Sequence, residues 1–142
     1  MDKITLDIDA KVENLPEVLS FLVDNLKELD CSVKELAQIQ IVAEEFFVNI
    51  SSYAYPAKTG QVTIFLQPLV QENALELTFS DSGIPFDPLK WKAEDLSTNI
   101  ADRKRGGLGI LFSRKKVDSI NYEYIDGKNV LTMKKIFHRE AS

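Results

Sequence analysis

Glu45 and Asn49 stand four residues apart in the stretch Ala43-Glu44-Glu45-Phe46-Phe47-Val48-Asn49-Ile50. On a helix, that spacing puts a carboxylate and an amide one turn apart on the same face, where both can act on one object. The carboxylate can accept a proton. The amide oxygen is a hard ligand that suits magnesium when phosphates supply the rest of the shell. At about 100° per residue, Gln38, Glu45, Asn49 and Ser52 share one stripe, while Leu36, Ile39, Ala43, Phe46, Phe47 and Ile50 fall on the other side. The apolar side is enough to dock the helix on a sheet. Taken alone, the polar stripe reads better as an ordinary solvated helix face.

Two further clusters change its weight. Asp81-Ser82-Gly83 follows the end of a strand pattern. An aspartate there can accept a hydrogen bond from an amino group on a flat ring, and a glycine lets backbone approach closely. The same residues also suit an ordinary turn. Arg105-Gly106-Gly107-Leu108-Gly109 opens a short helical pattern. Backbone N–H groups and the positive end of a helix dipole can cradle phosphates there, although a glycine loop at a helix start has the same composition. The three clusters in this order together suggest a nucleotide site. Other nucleotide and catalytic signatures are missing: the Gly-x-x-x-x-Gly-Lys loop, Gly-x-Gly-x-x-Gly and the His-Arg-Asp loop of protein kinases. The single histidine, His138, lies in the tail, which disfavours a Ser-His-Asp triad or a histidine metal site.

The elements that must position these residues follow from the patterning. Lys3 to Asp9 alternates as a half-buried strand. Asn14, with Pro16 and Glu17 after it, starts a helix running to about Asp30, along Leu15, Val18, Leu19, Leu22, Leu26 and Leu29. Ser32 and Glu35 form a capping box for the helix that carries Glu45, and Tyr55-Pro56 closes it. Gln61 to Val70 and Ala74 to Phe79 read as a hairpin, with Pro68 suggesting an edge position or a bulge. Leu108 to Val117 reads as a helix. Ser119 to Ile125 and Asn129 to Phe137 read as a second hairpin across Asp126-Gly127. This order predicts an α+β fold: a two-layer sandwich with a mostly antiparallel mixed sheet and helices on one face. The 142 residues suit one domain over 1–142, with a mobile excursion over Leu89 to Arg105 and a frayed tail at 138–142.

The net charge of −5 argues against direct nucleic-acid binding. No apolar stretch approaches the roughly 20 residues of a membrane span. One cysteine, Cys31, excludes an internal disulfide and reads as a packing residue. With no signal-like leader, a cytoplasmic setting is expected.

The set Glu45-x-x-x-Asn49, Asp81-x-Gly83 and Gly106-Gly107-x-Gly109 resembles the N, G1 and G2 boxes of the Bergerat-fold ATPases, a superfamily that includes DNA gyrase and histidine kinases. Tyr53-Ala54-Tyr55-Pro56, Asp87-Pro88, Asp102-Arg103, Gly107-Leu108-Gly109-Ile110 and Gly127-x-Asn129-Val130-Leu131-Thr132 are similar to its branch of anti-sigma-factor serine kinases. The resemblance covers nearly the whole chain. It implies ATP and Mg2+ as cofactors, Glu45 as the catalytic base, Asn49 as the metal ligand, and Asp81 with Gly83 at the adenine. It also implies Arg105, Gly106, Gly107, Leu108 and Gly109 at the phosphates, and a flexible lid over the nucleotide at about residues 88–105. The implied partners are an anti-sigma-factor antagonist of the STAS type and a sigma factor or similar regulator, with a possible homodimer. Where many relatives carry histidine four residues after the asparagine, this chain has Tyr53. Asn129 falls where relatives often place a threonine near the base, and neither it nor Thr132 receives a role from the sequence. Trp91 and Arg103-Lys104-Arg105 suit partner contact, lid packing or solvated charge alike. The implied activity is phosphorylation of a serine on the antagonist. The alternative is a nucleotide-dependent interaction module with little or no kinase activity.

Overall fold

The computed structural model describes residues 3–56, 59–90 and 113–138. The sheet has five strands: β1 (Ile4–Asp9), β2 (Gln61–Leu69), β3 (Ala74–Asp81), β4 (Ser119–Ile125) and β5 (Lys128–Ile136). Their spatial order is β1-β2-β3-β5-β4. Every pairing is antiparallel, so the sheet is not mixed among the described residues. Two helices precede β2: α1 (Leu15–Asp24) and α2 (Val33–Asn49). The α+β two-layer arrangement is therefore as expected from the element order.

Period-two patterning decides which face of the sheet is covered. Val62, Ile64 and Leu66 of β2, Leu75, Leu77 and Phe79 of β3, and Leu131 and Met133 of β5 are buried. They form one cluster with Val18 and Leu22 of α1 and Ile39, Val42, Ala43, Phe46 and Phe47 of α2. Phe46 meets Phe79 edge-to-face at 5.6 Å, a favoured aromatic geometry. That contact sets where α2 sits along β3. Three residues beyond Phe46 comes Asn49, and two beyond Phe79 comes Asp81, so one packing pair carries both polar residues to the same end of the core.

Helix boundaries show local chemistry competing with periodicity. The Ser32–Glu35 capping box forms with both of its hydrogen bonds. Asn14 occupies the N-cap of α1, but its side chain donates to Asp9 O at 3.0 Å instead of accepting from the helix. The helix stops at Asp24, short of the expected Asp30. Asn25 Nδ2 donates to Phe21 O at 2.7 Å, and this local alternative to the helix ladder ends it. Leu26 and Leu29 still reach the core from the turns that follow. Pro68 is in an interior strand, not at an edge, but it lies beyond the last β1 partner, since Ile4 pairs with Leu66. The Asp126-Gly127 turn has both residues at positive φ, 54° and 76°, as a two-residue hairpin demands. Residues 113–116 are helical and Ser113 is fully buried; the rest of the expected 108–117 helix, and most of the lid, lie outside the described residues.

The end of the sheet away from Asp81 is tied by Asn73, which is buried at φ 54°. Its side chain accepts from Asp30 N at 2.8 Å and donates to Asp30 O at 2.9 Å and Phe137 O at 3.0 Å. One amide thus joins the α1–α2 connection, the β2–β3 turn and the end of β5. At His138 the backbone N–H and the ring both meet Glu35 Oε2 at 3.1 Å, and the rest of the expected tail, 139–142, lies outside the described residues. Replacing Asn73 by Ala strands three backbone groups and keeps an unfavourable φ, and is expected to cost about 2–4 kcal/mol. Asn73→Gly, which tolerates the backbone, should cost less. Urea denaturation of both variants checks this, and a loss below about 0.5 kcal/mol for Asn73→Ala would contradict it.

Candidate functional site

The end of α2 is not a regular helix. After Asn49 the chain continues as a π turn, Ile50–Ala54, a feature found often at functional sites. The wider turn shifts the helical phase. Ser52, expected on the polar stripe, is exposed, whereas Asn49 is buried at 4% exposure. Tyr53 stacks on Phe86 at 5.2 Å and 23°. The turn also aims Ala54 O at the loop beyond β3, where Ile84 N donates to it at 2.9 Å. Gly83 lies against the same peptide. A Cβ added to Gly83 would sit 2.2 Å from Ala54 O, closer than any atom can stand, so glycine is required by proximity. Tyr55 completes the clamp: its hydroxyl accepts from Ser82 N at 2.9 Å and donates to Gln61 O at 2.7 Å.

Asp81 ends β3 at 5% exposure. Gly83 N and Asn129 Nδ2 both donate to its Oδ1, each at 2.9 Å. Among the described residues no group donates to Oδ2. Burial raises the Asp81 carboxyl above its ordinary range, and those two hydrogen bonds oppose the rise. Asn129 is opposite Asp81 in the β3–β5 register. It also donates to Ile84 O at 2.8 Å and accepts from Phe86 N at 3.0 Å and from the Tyr122 hydroxyl.

These elements bound one cleft, lined by Phe46, Asn49, Phe79, Asp81, Phe86 and Asn129 among others. Its enclosed volume is about 20 Å³, room for a single water, so a larger ligand enters only by displacing lining side chains. Asn49 Oδ1 is buried there without a hydrogen-bond partner, and so is Glu45 Oε1 one turn earlier. Orphaned buried oxygens cost stability and suit a ligand that supplies positive charge. Among the described residues no three His, Cys, Asp or Glu side chains converge on a metal-sized site. A cation held at Asn49 would then take most of its shell from its own ligand, as magnesium does with phosphates. Burial pushes the Glu45 carboxyl up to about 7, partly offset by the Asn49 side chain and increased by the charge on Glu44. A carboxylate poised near neutrality has the proton affinity of a general base.

Of the sequence-based candidates, Asn49 and Asp81 line this cleft, and Gly83 reaches it only through its backbone bond to Asp81 Oδ1. Glu45 neighbours Asn49 without lining the cleft itself. Arg105, Gly106, Gly107, Leu108 and Gly109 lie outside the described residues. Asn129 emerges as a hub that sequence reasoning left without a role. Thr132 points away from the cleft and bonds Thr78 across the opposite sheet face at 3.1 Å.

The profile of the histidine kinase-like ATPase domain matches residues 8–135, which include every site residue just described. The chain belongs to that family. Similar proteins include the serine-protein kinase RsbW of Bacillus thuringiensis, 27% identical over 98% of this chain and 88% of the relative. RsbW of Listeria monocytogenes is 26% identical, over 99% of this chain and 91% of the relative. Among the described residues of this family member no helix is long and apolar enough to cross a membrane.

Two outcomes follow from the packing and the buried acid. Gly83→Ala forces the loop off Ala54 and is expected to destabilise the chain by about 1–3 kcal/mol, read by urea denaturation; an unchanged midpoint would contradict the close approach. Glu45 has a folded pKa above its unfolded value, so its protonated form favours the native state. That contribution is fully present below about pH 4.5 and is lost as pH rises through about 7. Glu45→Gln is therefore expected to match the wild type near pH 4 and to exceed its stability at pH 8. After discounting for partial exposure, the gain is about 1–2 kcal/mol. Parallel pH-dependent melts would show it, and a gain that does not change with pH would contradict it.

Proposed function

We propose that this chain is an ATP-dependent protein-serine kinase. In this reading it phosphorylates an anti-sigma-factor antagonist and also binds a sigma factor or a similar regulator. The observation that carries the proposal is the pair of orphaned oxygens, Glu45 Oε1 and Asn49 Oδ1, buried one helical turn apart beside the Asp81 cleft. Membership of an ATPase family supports nucleotide binding, and relatives named as serine-protein kinases support transfer to serine.

The roles divide along the cleft. Asp81 Oδ2 takes a hydrogen bond from the amino group of adenine, with the Gly83 backbone beside it. Asn49 Oδ1 would hold magnesium, which would neutralise phosphate charge when ATP is bound. Glu45 removes the proton from a serine hydroxyl as its oxygen bonds the terminal phosphorus. The bond from that phosphorus to the bridging oxygen breaks, and ADP leaves with the electron pair. Arg105 and Gly106 to Gly109 complete the phosphate contacts, as their resemblance to the family's glycine box suggests. A carboxylate near pH 7 is matched to the proton step.

The test is transfer from radiolabelled ATP, with magnesium, to an antagonist protein from the same genome. Glu45→Gln is expected to lower transfer by about 100-fold or more while ATP affinity stays within a few-fold. Normal transfer by that variant would remove the base assignment. Nucleotide-dependent binding of the antagonist without phosphoserine would favour an interaction module over a kinase.

A further inference from the structure

The cleft beside Asp81 encloses space for one water, so a larger ligand must first move part of its wall. Most of that wall is costly to move. Phe46 and Phe79 belong to the packed core and meet edge-to-face. Asp81 and Asn129 are bonded to each other across adjacent strands, and the Tyr122 hydroxyl donates to Asn129. The Phe86 ring is different, because it is half-buried and lies on the loop beyond β3. The backbone of that loop is pinned. Ser82 N donates to the Tyr55 hydroxyl, Gly83 N to Asp81 Oδ1, Ile84 N to Ala54 O and Phe86 N to Asn129 Oδ1. Rotation of the Phe86 ring about its side-chain bonds therefore opens the cleft at the least cost.

We propose that Tyr53 is a latch that holds the Phe86 ring over the empty cleft, and that a nucleotide enters by breaking the Tyr53–Phe86 stack. The inference rests on the nucleotide-site reading above and deepens it, by naming what controls entry to that site. Tyr53 stacks on Phe86 at 5.2 Å and 23° without lining the cleft itself. It lies in the π turn between Ile50 and Ala54, both buried, so the latch is anchored while the ring it holds can turn. Tyr53 is also the position at which the sequence departs from the motif it resembles, so the stack is not part of that motif. A stacked aromatic pair favours the closed arrangement by a factor of about two to ten. Apparent affinity falls by the fraction of chains that are open. Because the latch acts on the empty site, it slows association and leaves release unchanged.

The measurement is stopped-flow binding of the fluorescent N-methylanthraniloyl analogue of ADP, with magnesium, to the full chain. Tyr53→Leu keeps an apolar side chain but cannot stack. It is expected to raise the association rate constant about two- to tenfold, with dissociation within about twofold of the wild type. Tyr53→Phe keeps the ring and should associate at the wild-type rate. An unchanged association rate in Tyr53→Leu would overturn the proposal, because the stack would not be what holds the cleft shut. Faster dissociation and weaker binding would also overturn it, by making Tyr53 part of the surface that grips the ligand. If Tyr53→Leu does not fold, Phe86→Leu removes the same stack from the other side. The same rise in association is expected there, and an unchanged rate would again overturn the proposal. If Asp81→Asn binds the analogue as the wild type does, the nucleotide-site reading fails and takes this inference with it. Unchanged association in the leucine variants, with binding weakened by Asp81→Asn, defeats this inference alone.

Discussion

Asp81 holds a carboxylate at 5% exposure with no ion-pair partner among the described residues. A buried anion in that position must be met by hydrogen-bond donors or give up its charge. Gly83 N and Asn129 Nδ2 supply them, and each does so only because the surrounding fold is in place. Gly83 reaches Asp81 because the loop lies directly against Ala54. Asn129 reaches it because β5, not β4, is the neighbour of β3. The order of strands in the sheet is thus a condition on the chemistry at its end.

The same logic runs through α2. Phe46 against Phe79 fixes the helix on the sheet, and the π turn then bends its end toward the loop beyond β3. A regular helix would have kept Ser52 on the polar stripe. Instead Asn49 is buried at the last residue of α2, Ser52 is exposed, and Tyr53 within the turn stacks on Phe86. Buried oxygens without partners at Glu45 and Asn49 are destabilising in the isolated chain. Functional sites commonly carry such local costs, which the rest of the core offsets.

Much of this was legible in advance. The Ser32–Glu35 capping box, the Asp126-Gly127 hairpin and the alternating strands are signals within a few residues, and the structure repeats them. Motif resemblance named Asn49 and Asp81, which line one cleft, and Gly83, which donates to Asp81. The Asn129 hub could not be read, because its partners at 81, 84, 86 and 122 meet only through strand register. The early end of α1 was missed for a different reason: Leu26 and Leu29 keep helical spacing but reach the core from turns. The π turn left no mark in the hydrophobic pattern either, since inserting one residue into a turn changes phase without changing composition.

The most direct measurement is a crystal structure with ADP and magnesium bound. The account predicts the exocyclic amino nitrogen of adenine within about 3 Å of Asp81 Oδ2, with Phe86 displaced from its present packing and Asn129 still bonded to Oδ1. Adenine bound elsewhere, with the Asp81 cleft closed as it is now, would contradict it.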